Sequence, residues 1–313
     1  MAAERQQRQQ QLTQTNAEAS RPSGSHDYKG FVAGVFSGMA KLAVGHPFDT
    51  VKVRLQTSDR FKGAVDCAMQ TVRREGVRGL YKGASPPLVG WMVMDSVLMG
   101  SLNVYRRLVA DKVYGVDRSA LPTAGHGVAG VMAGATVSMV AAPVEHVKAR
   151  LQIQYAAAKA DRLYSGPVDC VGRIVRHHGL AGLYHGLTAT LIFRSFFFFW
   201  WTSYDLLSGL MRRRSGMGDP AINFWAGGLS AQLFWVVAYP ADVVKQRVMT
   251  DPLGGGLGDG TPRYPSWRAA AVSLYREGGT RAYFRGFMPC FLRAFPTNAS
   301  ALLVWELVMR GIA

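Results

Sequence analysis

The chain has 313 residues, a net charge of +16 and a mean hydropathy of only +0.04. Its basic residues are dispersed between apolar segments, apart from a short run at Arg212-Arg213-Arg214, so the charge speaks against a nucleic-acid face and for loops beside anionic lipid headgroups. The three cysteines and seven histidines show no metal-ligand spacing, and no phosphate loop or nucleophile–base arrangement is present, so neither a cofactor nor an enzyme is expected.

Residues 1–27 are polar and rich in Gln, Ser and Ala, lack the apolar run of a secretory signal and carry few arginines; they read as a disordered tail. A first span is expected over 28–56, with Gly30, Gly34 and Gly38 as a small-residue stripe for close helix contact. It ends in Pro47-Phe48-Asp49-Thr50-Val51-Lys52-Val53-Arg54-Leu55-Gln56. The connection over 57–83 holds a short amphipathic helix, and a second span over 84–108 contains Pro86, Pro87 and the isolated carboxylate Asp95.

A third span over 123–152 repeats the small-residue spacing with Gly130 and Gly134 and closes on Pro143-Val144-Glu145-His146-Val147-Lys148-Ala149-Arg150-Leu151-Gln152. The fourth, over 187–211, carries Arg194 and the run Phe196 to Trp201; the fifth, over 222–249, holds Pro240-Ala241-Asp242-Val243-Val244-Lys245-Gln246-Arg247. A glycine-rich loop from Gly254 to Gly260 leads to a sixth span over 287–310. Each of the six is long enough to cross a bilayer, and an even number puts both termini on one side. A mean hydropathy near zero fits helices that line a polar cavity.

Pro47, Pro143 and Pro240 lie 96 and 97 residues apart, so the chain is a threefold repeat. Proline kinks each helix, and the acid and lysine three residues apart share one helix face. Charges at membrane depth face a bundle interior and seek partners, so three acids and three bases at one level can pair around a ring and close one end of a pore. Cys67 and Cys170 hold matching repeat positions, where the third repeat has Ala270, and read as helix residues rather than a disulfide.

The pattern Pro-x-acid-x-x-base-x-Arg resembles the mitochondrial carrier family over residues 28–313. A second half-motif supports the resemblance: Glu75-Gly76 with Tyr81-Lys82-Gly83, His178-Gly179 with Tyr184-His185-Gly186, and Gly278-Gly279 with Phe284-Arg285-Gly286. His178 and Gly278 stand where an acid is usual, and His185 where a base is usual. Arg293-Ala294-Phe295-Pro296-Thr297-Asn298-Ala299 is similar to the last span of carnitine/acylcarnitine and amino-acid carriers.

The resemblance implies an all-α membrane protein of six transmembrane helices in three pseudo-threefold repeats, each with a short amphipathic helix on the matrix side. The tail 1–27 then precedes repeats 28–118, 119–218 and 219–313, which form one transport domain. It implies a monomeric antiporter of the inner mitochondrial membrane, working by alternating access, with both termini facing the intermembrane space. Lys52, Lys148 and Lys245 would pair with Asp49, Glu145 and Asp242 as a matrix gate, braced by Gln56 and Gln152 but not by Met249. A degenerate cytoplasmic gate would use Arg106 against Asp205 or Glu306. Substrate would meet Arg194, Arg293, Asp95, Trp91, Lys41 and Asn298, and cardiolipin would sit at Gly83, Gly186 and Gly286.

Two arginines with an aspartate suit an amino acid or a carnitine-like zwitterion, with Asp95 taking the ammonium. A mono- or dicarboxylate or keto acid held by the arginines alone is the alternative. An ion pair between Asp95 and an arginine or Lys41, without substrate contact, is a further reading of that residue. A non-transporting adaptor of the same fold is the alternative of a different class.

Overall fold

A computed structural model describes residues 24–58, 60–156 and 161–311, and among these the chain is helical with no strand. The first repeat holds α1 (Gly24–Thr57), α2 (Ala64–Glu75) and α3 (Ser85–Val109). The second holds α4 (Thr123–Gln152), α5 (Pro167–Leu183), α6 (Leu187–Ser195) and α7 (Phe197–Arg214). The third holds α8 (Asp219–Thr250), α9 (Trp267–Ala282) and α10 (Phe287–Gly311). The described residues form two compact units: 24–41 group with 297–311, and Leu42–Pro296 form the other.

The larger unit has its main apolar core where α3, α4, α6, α7 and α8 meet, around Leu98, Leu102, Val137, Phe193, Phe197 and Phe234. The small-residue spacing on α4 serves this packing: a Cβ at Gly134 would lie 3.1 Å from the Arg194 carbonyl, and one at Gly130 would strike Trp201. Among the described residues, α4 and the stretch Ala221–Thr250 of α8 are long and apolar enough to cross a membrane.

The fourth expected span is two helices. Ser195 Oγ donates to the Ile192 carbonyl at 2.6 Å, and α6 stops there before α7 begins beyond Phe196.

The short helices α2, α5 and α9 bury matching positions, Cys67, Cys170 and Ala270, in small clusters against the ends of the long helices. All three cysteines are free. Burial pushes the Cys67 thiol up to about 11 and the Cys170 thiol up to about 12, with nearby arginines opposing it. Since the thiolate is the nucleophile, neither should react with N-ethylmaleimide at pH 8 in the folded protein. Intact-mass spectrometry before and after unfolding checks this, both sites becoming labelled only once the chain is unfolded.

Candidate functional site

The Pro-x-acid-x-x-Lys segments of α1, α4 and α8 come together in the larger unit, and each acid takes the lysine of the next repeat. Lys148 Nζ lies 2.7 Å from Asp49 Oδ2, Lys245 Nζ 2.8 Å from Glu145 Oε2, and Lys52 Nζ 2.7 Å from Asp242 Oδ2. Lys245 also reaches Asp242 Oδ1 on its own helix at 3.4 Å. The carboxylates of Asp49 and Asp242 are buried, and that of Glu145 is about one-fifth exposed (21%).

Two further cations use the remaining oxygens. Arg293 Nη1 donates to Asp49 Oδ1, and Arg194 Nη2 donates to Glu145 Oε1 at 2.8 Å. Among the described residues no arginine bonds Asp242, which accepts instead from Gln56 Nε2 at 3.0 Å. Among the described residues five cations therefore meet three carboxylates, two positive charges more than negative. Aromatic faces take up part of this: Lys52 sits 4.3 Å over Trp235, Lys245 4.3 Å over Phe193, and Arg194 5.0 Å over Phe197.

The sequence placed Arg194 and Arg293 with the substrate and apart from the acids; the structure joins both to acids of the ring. Asp95 is exposed on α3, and Lys41 is exposed on α1. The side chains of Trp91, Asn298 and Glu306 lie outside the described residues. Gln152 is not a brace on the charges: its Nε2 reaches Thr50 Oγ1 at 3.3 Å, while its backbone carbonyl accepts from Arg54 Nε.

A second layer lies beyond the ring, which sequence reasoning missed. The last arginine of each motif crosses to the end of the next repeat's long helix: Arg54 Nε donates to Gln152 O at 3.0 Å, Arg150 Nη2 to Asp251 O at 2.6 Å, and Arg247 Nε to Gln56 O at 2.6 Å. The bases of the second half-motif follow the same order. Lys82 Nζ reaches Gln154 O at 2.6 Å, His185 Nε2 bonds Val248 O at 2.9 Å, and Arg285 Nη2 donates to Ser58 O at 3.3 Å. Carbonyls at a helix end lack partners within the helix and carry partial negative charge, so cations belong there. The fixed position of Arg54, Arg150 and Arg247 in the motif was the available signal.

Gly83, Gly186 and Gly286 let the repeats approach at this level. Their φ values of 76°, 89° and 77° favour glycine, and a Cβ would lie 2.9 Å from Lys148 O, 2.8 Å from Met249 Cγ and 3.0 Å from Lys52 O respectively.

At the opposite ends of α3, α4 and α7, Arg106 stacks 4.8 Å over Trp201 and bridges no carboxylate of the described residues, contrary to the pairing expected with Asp205. Asp205 accepts instead from Thr123 Oγ1 at 2.6 Å and lies 3.8 Å from His126 Nε2. The aromatic face holds the guanidinium, and α4 supplies the carboxylate's partners.

Three helical repeats, linked each to the next by cations from matching positions around a ring of shared carboxylates, define a repeat-built transporter. The family model described as mitochondrial carrier protein matches residues 24–113, 119–215 and 218–313. The chain belongs to the mitochondrial carrier family, whose members are transporters and not enzymes. It is 37% identical to mitochondrial substrate carrier family protein L of Dictyostelium discoideum, over 90% of this chain and 95% of that protein. It is 35% identical to the mitochondrial basic amino acids transporter of Bos taurus over 89% and 90%. It is 33% identical to the mitochondrial carnitine/acylcarnitine carrier protein of Mus musculus over 93% and 97%.

The second layer yields two tests by thermal unfolding in detergent. Glu75→Gln strips Arg54 and Lys82 of a carboxylate that is 3% exposed and should cost about 3–5 kcal/mol. Glu277→Gln, at a carboxylate 34% exposed beside Arg247, should cost under about 1 kcal/mol. Burial, then Arg150, holds His185 below the usual histidine range, although its bond to the Val248 carbonyl raises it. A histidine depressed in the fold binds more protons when unfolded, so its contribution is present above about pH 6.5 and is lost as pH falls below that value. The unfolding midpoint should therefore drop between about pH 7 and 5.5, and His185→Gln should flatten the slope.

Proposed function

We propose that the protein is an antiporter of the inner mitochondrial membrane. It crosses that membrane six times in three pseudo-threefold repeats, has both termini in the intermembrane space, and works as a monomer. The pairs Asp49–Lys148, Glu145–Lys245 and Asp242–Lys52 are the closed inner gate, and Arg194 and Arg293 receive the substrate. The observation that carries this reading is that each arginine shares its ring carboxylate with a gate lysine. A substrate carboxylate arriving at a guanidinium competes with Glu145 or Asp49, so binding loosens the gate at the same moment. Only such differential binding can drive a change of state. Ring bonds of small net worth suit this, because desolvation offsets most of their attraction.

An amino acid or a carnitine-like zwitterion is the substrate class, with Asp95 receiving the ammonium. The names of two relatives, a basic amino acids transporter and a carnitine/acylcarnitine carrier, support it. The two surplus positive charges of the ring favour a second reading, a mono- or dicarboxylate or keto acid held by the arginines alone. Arg106 with Asp205 or Glu306 forms the outer gate once the outer end closes, and anionic lipid of the cardiolipin type docks near Gly83, Gly186 and Gly286.

Exchange into liposomes should separate the substrates, using radiolabelled lysine, carnitine and succinate with each as counter-substrate. Uptake of lysine or carnitine supports the first reading, and uptake of succinate the second. Arg293→Lys, which keeps charge but loses the bidentate fork, should raise KM about tenfold or more. Transport of none of the three, together with an unfolding midpoint that none of them moves, removes both substrate classes.

A further inference from the structure

Position 178 departs from its counterpart at 75, and the structure shows what replaces the missing acid. The two positions are equivalent in space: a Cβ on Gly79 would lie 2.6 Å from Glu75 Cβ, and one on Gly182 would lie 2.6 Å from His178 Cβ. Glu75 bonds Arg54 within repeat one. His178 instead bonds the carbonyl of Gly254 at 3.1 Å, and Arg150 finds its carboxylate in Asp259, whose Oδ2 lies 2.7 Å away. Both side chains of that ion pair are nearly inaccessible, at 3% and 6% exposed. In repeat three Glu277, one residue before Gly278, serves Arg247 from within the repeat.

Asp259 lies on the glycine-rich loop of repeat three. It also accepts the backbone N–H of Leu253 at 2.7 Å and of Gly254 at 3.1 Å, so its carboxylate organises the loop that presents it. Asp251 clasps the loop ends by accepting the N–H groups of Arg263 and Tyr264 at 2.9 and 3.0 Å. Leu257 buries itself among Val147, Leu151, Tyr164, Cys170 and Ile174 of repeat two. In repeat one the corresponding cluster of Val51, Leu55, Phe61 and Cys67 is packed instead by Tyr155.

We propose that Asp259 is a second inner lock, a positioning residue that ties repeat three to repeat two through Arg150. It supplies the carboxylate that position 178 lacks, but from across a repeat boundary. The bonds Arg54–Glu75 and Arg247–Glu277 lie within one repeat and survive if the inner end opens. The Arg150–Asp259 bond spans two repeats and has to break. Parting the repeats at this boundary therefore costs one more charged bond than it would with an acid at 178. This rests on the reading of the ring as an inner gate.

The test uses the full chain in detergent with Cys67→Ala and Cys170→Ala, alanine being the residue that repeat three has there. Cys290 is then the sole thiol; it is 3% exposed, beside Lys52 and Arg293 of the ring, and its labelling by N-ethylmaleimide reports opening. Asp49→Asn opens the ring and sets the reference rate. Asp259→Asn should lower the unfolding midpoint and speed labelling about tenfold, the worth of one hydrogen bond to a charged group. Adding His178→Glu should return the midpoint, since the acid is back inside repeat two, while labelling stays fast because no carboxylate crosses the boundary. Unchanged labelling in Asp259→Asn, with fast labelling in Asp49→Asn, overturns the lock alone. Slow labelling in both overturns the ring reading and the lock with it. A midpoint that His178→Glu does not restore shows that Asp259 only braces Leu253 and Gly254, and overturns the proposal.

Discussion

The arrangement rests on carboxylates that serve two masters. Asp49 and Glu145 each give one oxygen to a lysine of the next repeat and the other to an arginine from a different helix. A carboxylate buried at this depth is tolerable only when both oxygens are engaged. Each acid thus fixes the positions of two cations at once, and α1, α4, α6, α8 and α10 converge on one level. A ring held in this way is mutually dependent, since removing one member strips a partner from two others.

The outer layer of arginines and lysines makes the same connections with different chemistry. Backbone carbonyls at helix ends accept from the preceding repeat, so these contacts depend on where a helix stops and not on which side chain stands there. This explains the freedom of the acids in that layer. The carboxylate facing each arginine comes from α2 in repeat one, from a neighbour's loop in repeat two, and from one residue earlier on α9 in repeat three. The arginine is constant, and the source of its counter-charge is not.

How much of this could be read in the residues follows from spacing. The period, the repeated prolines and the acid–lysine pairs were legible because they recur at fixed intervals, and a threefold repeat leaves few ways to pair three acids with three bases. Arg194 and Arg293 were recognisable as charged residues in spans, but their bonds to Glu145 and Asp49 depend on depth, which a one-residue shift in register hides. Asp259 was invisible, since 109 residues separate it from Arg150 and it sits in a loop with no periodicity. The stop at Ser195 was equally hidden, because it leaves no mark on the apolar pattern. Arg106 went to the face of Trp201, an option that charge pairing alone does not consider.

The carboxylate of Asp242 differs from the other two. It is 3% exposed, holds Lys52, Lys245 and Gln56, and among the described residues no guanidinium bonds it. Events at Arg194 reach this sector only through Lys245, which Glu145 and Asp242 share. On the gating proposed above, the seam between the first and third repeats is then the last to part, and the inner mouth widens lopsidedly instead of dilating evenly like an iris.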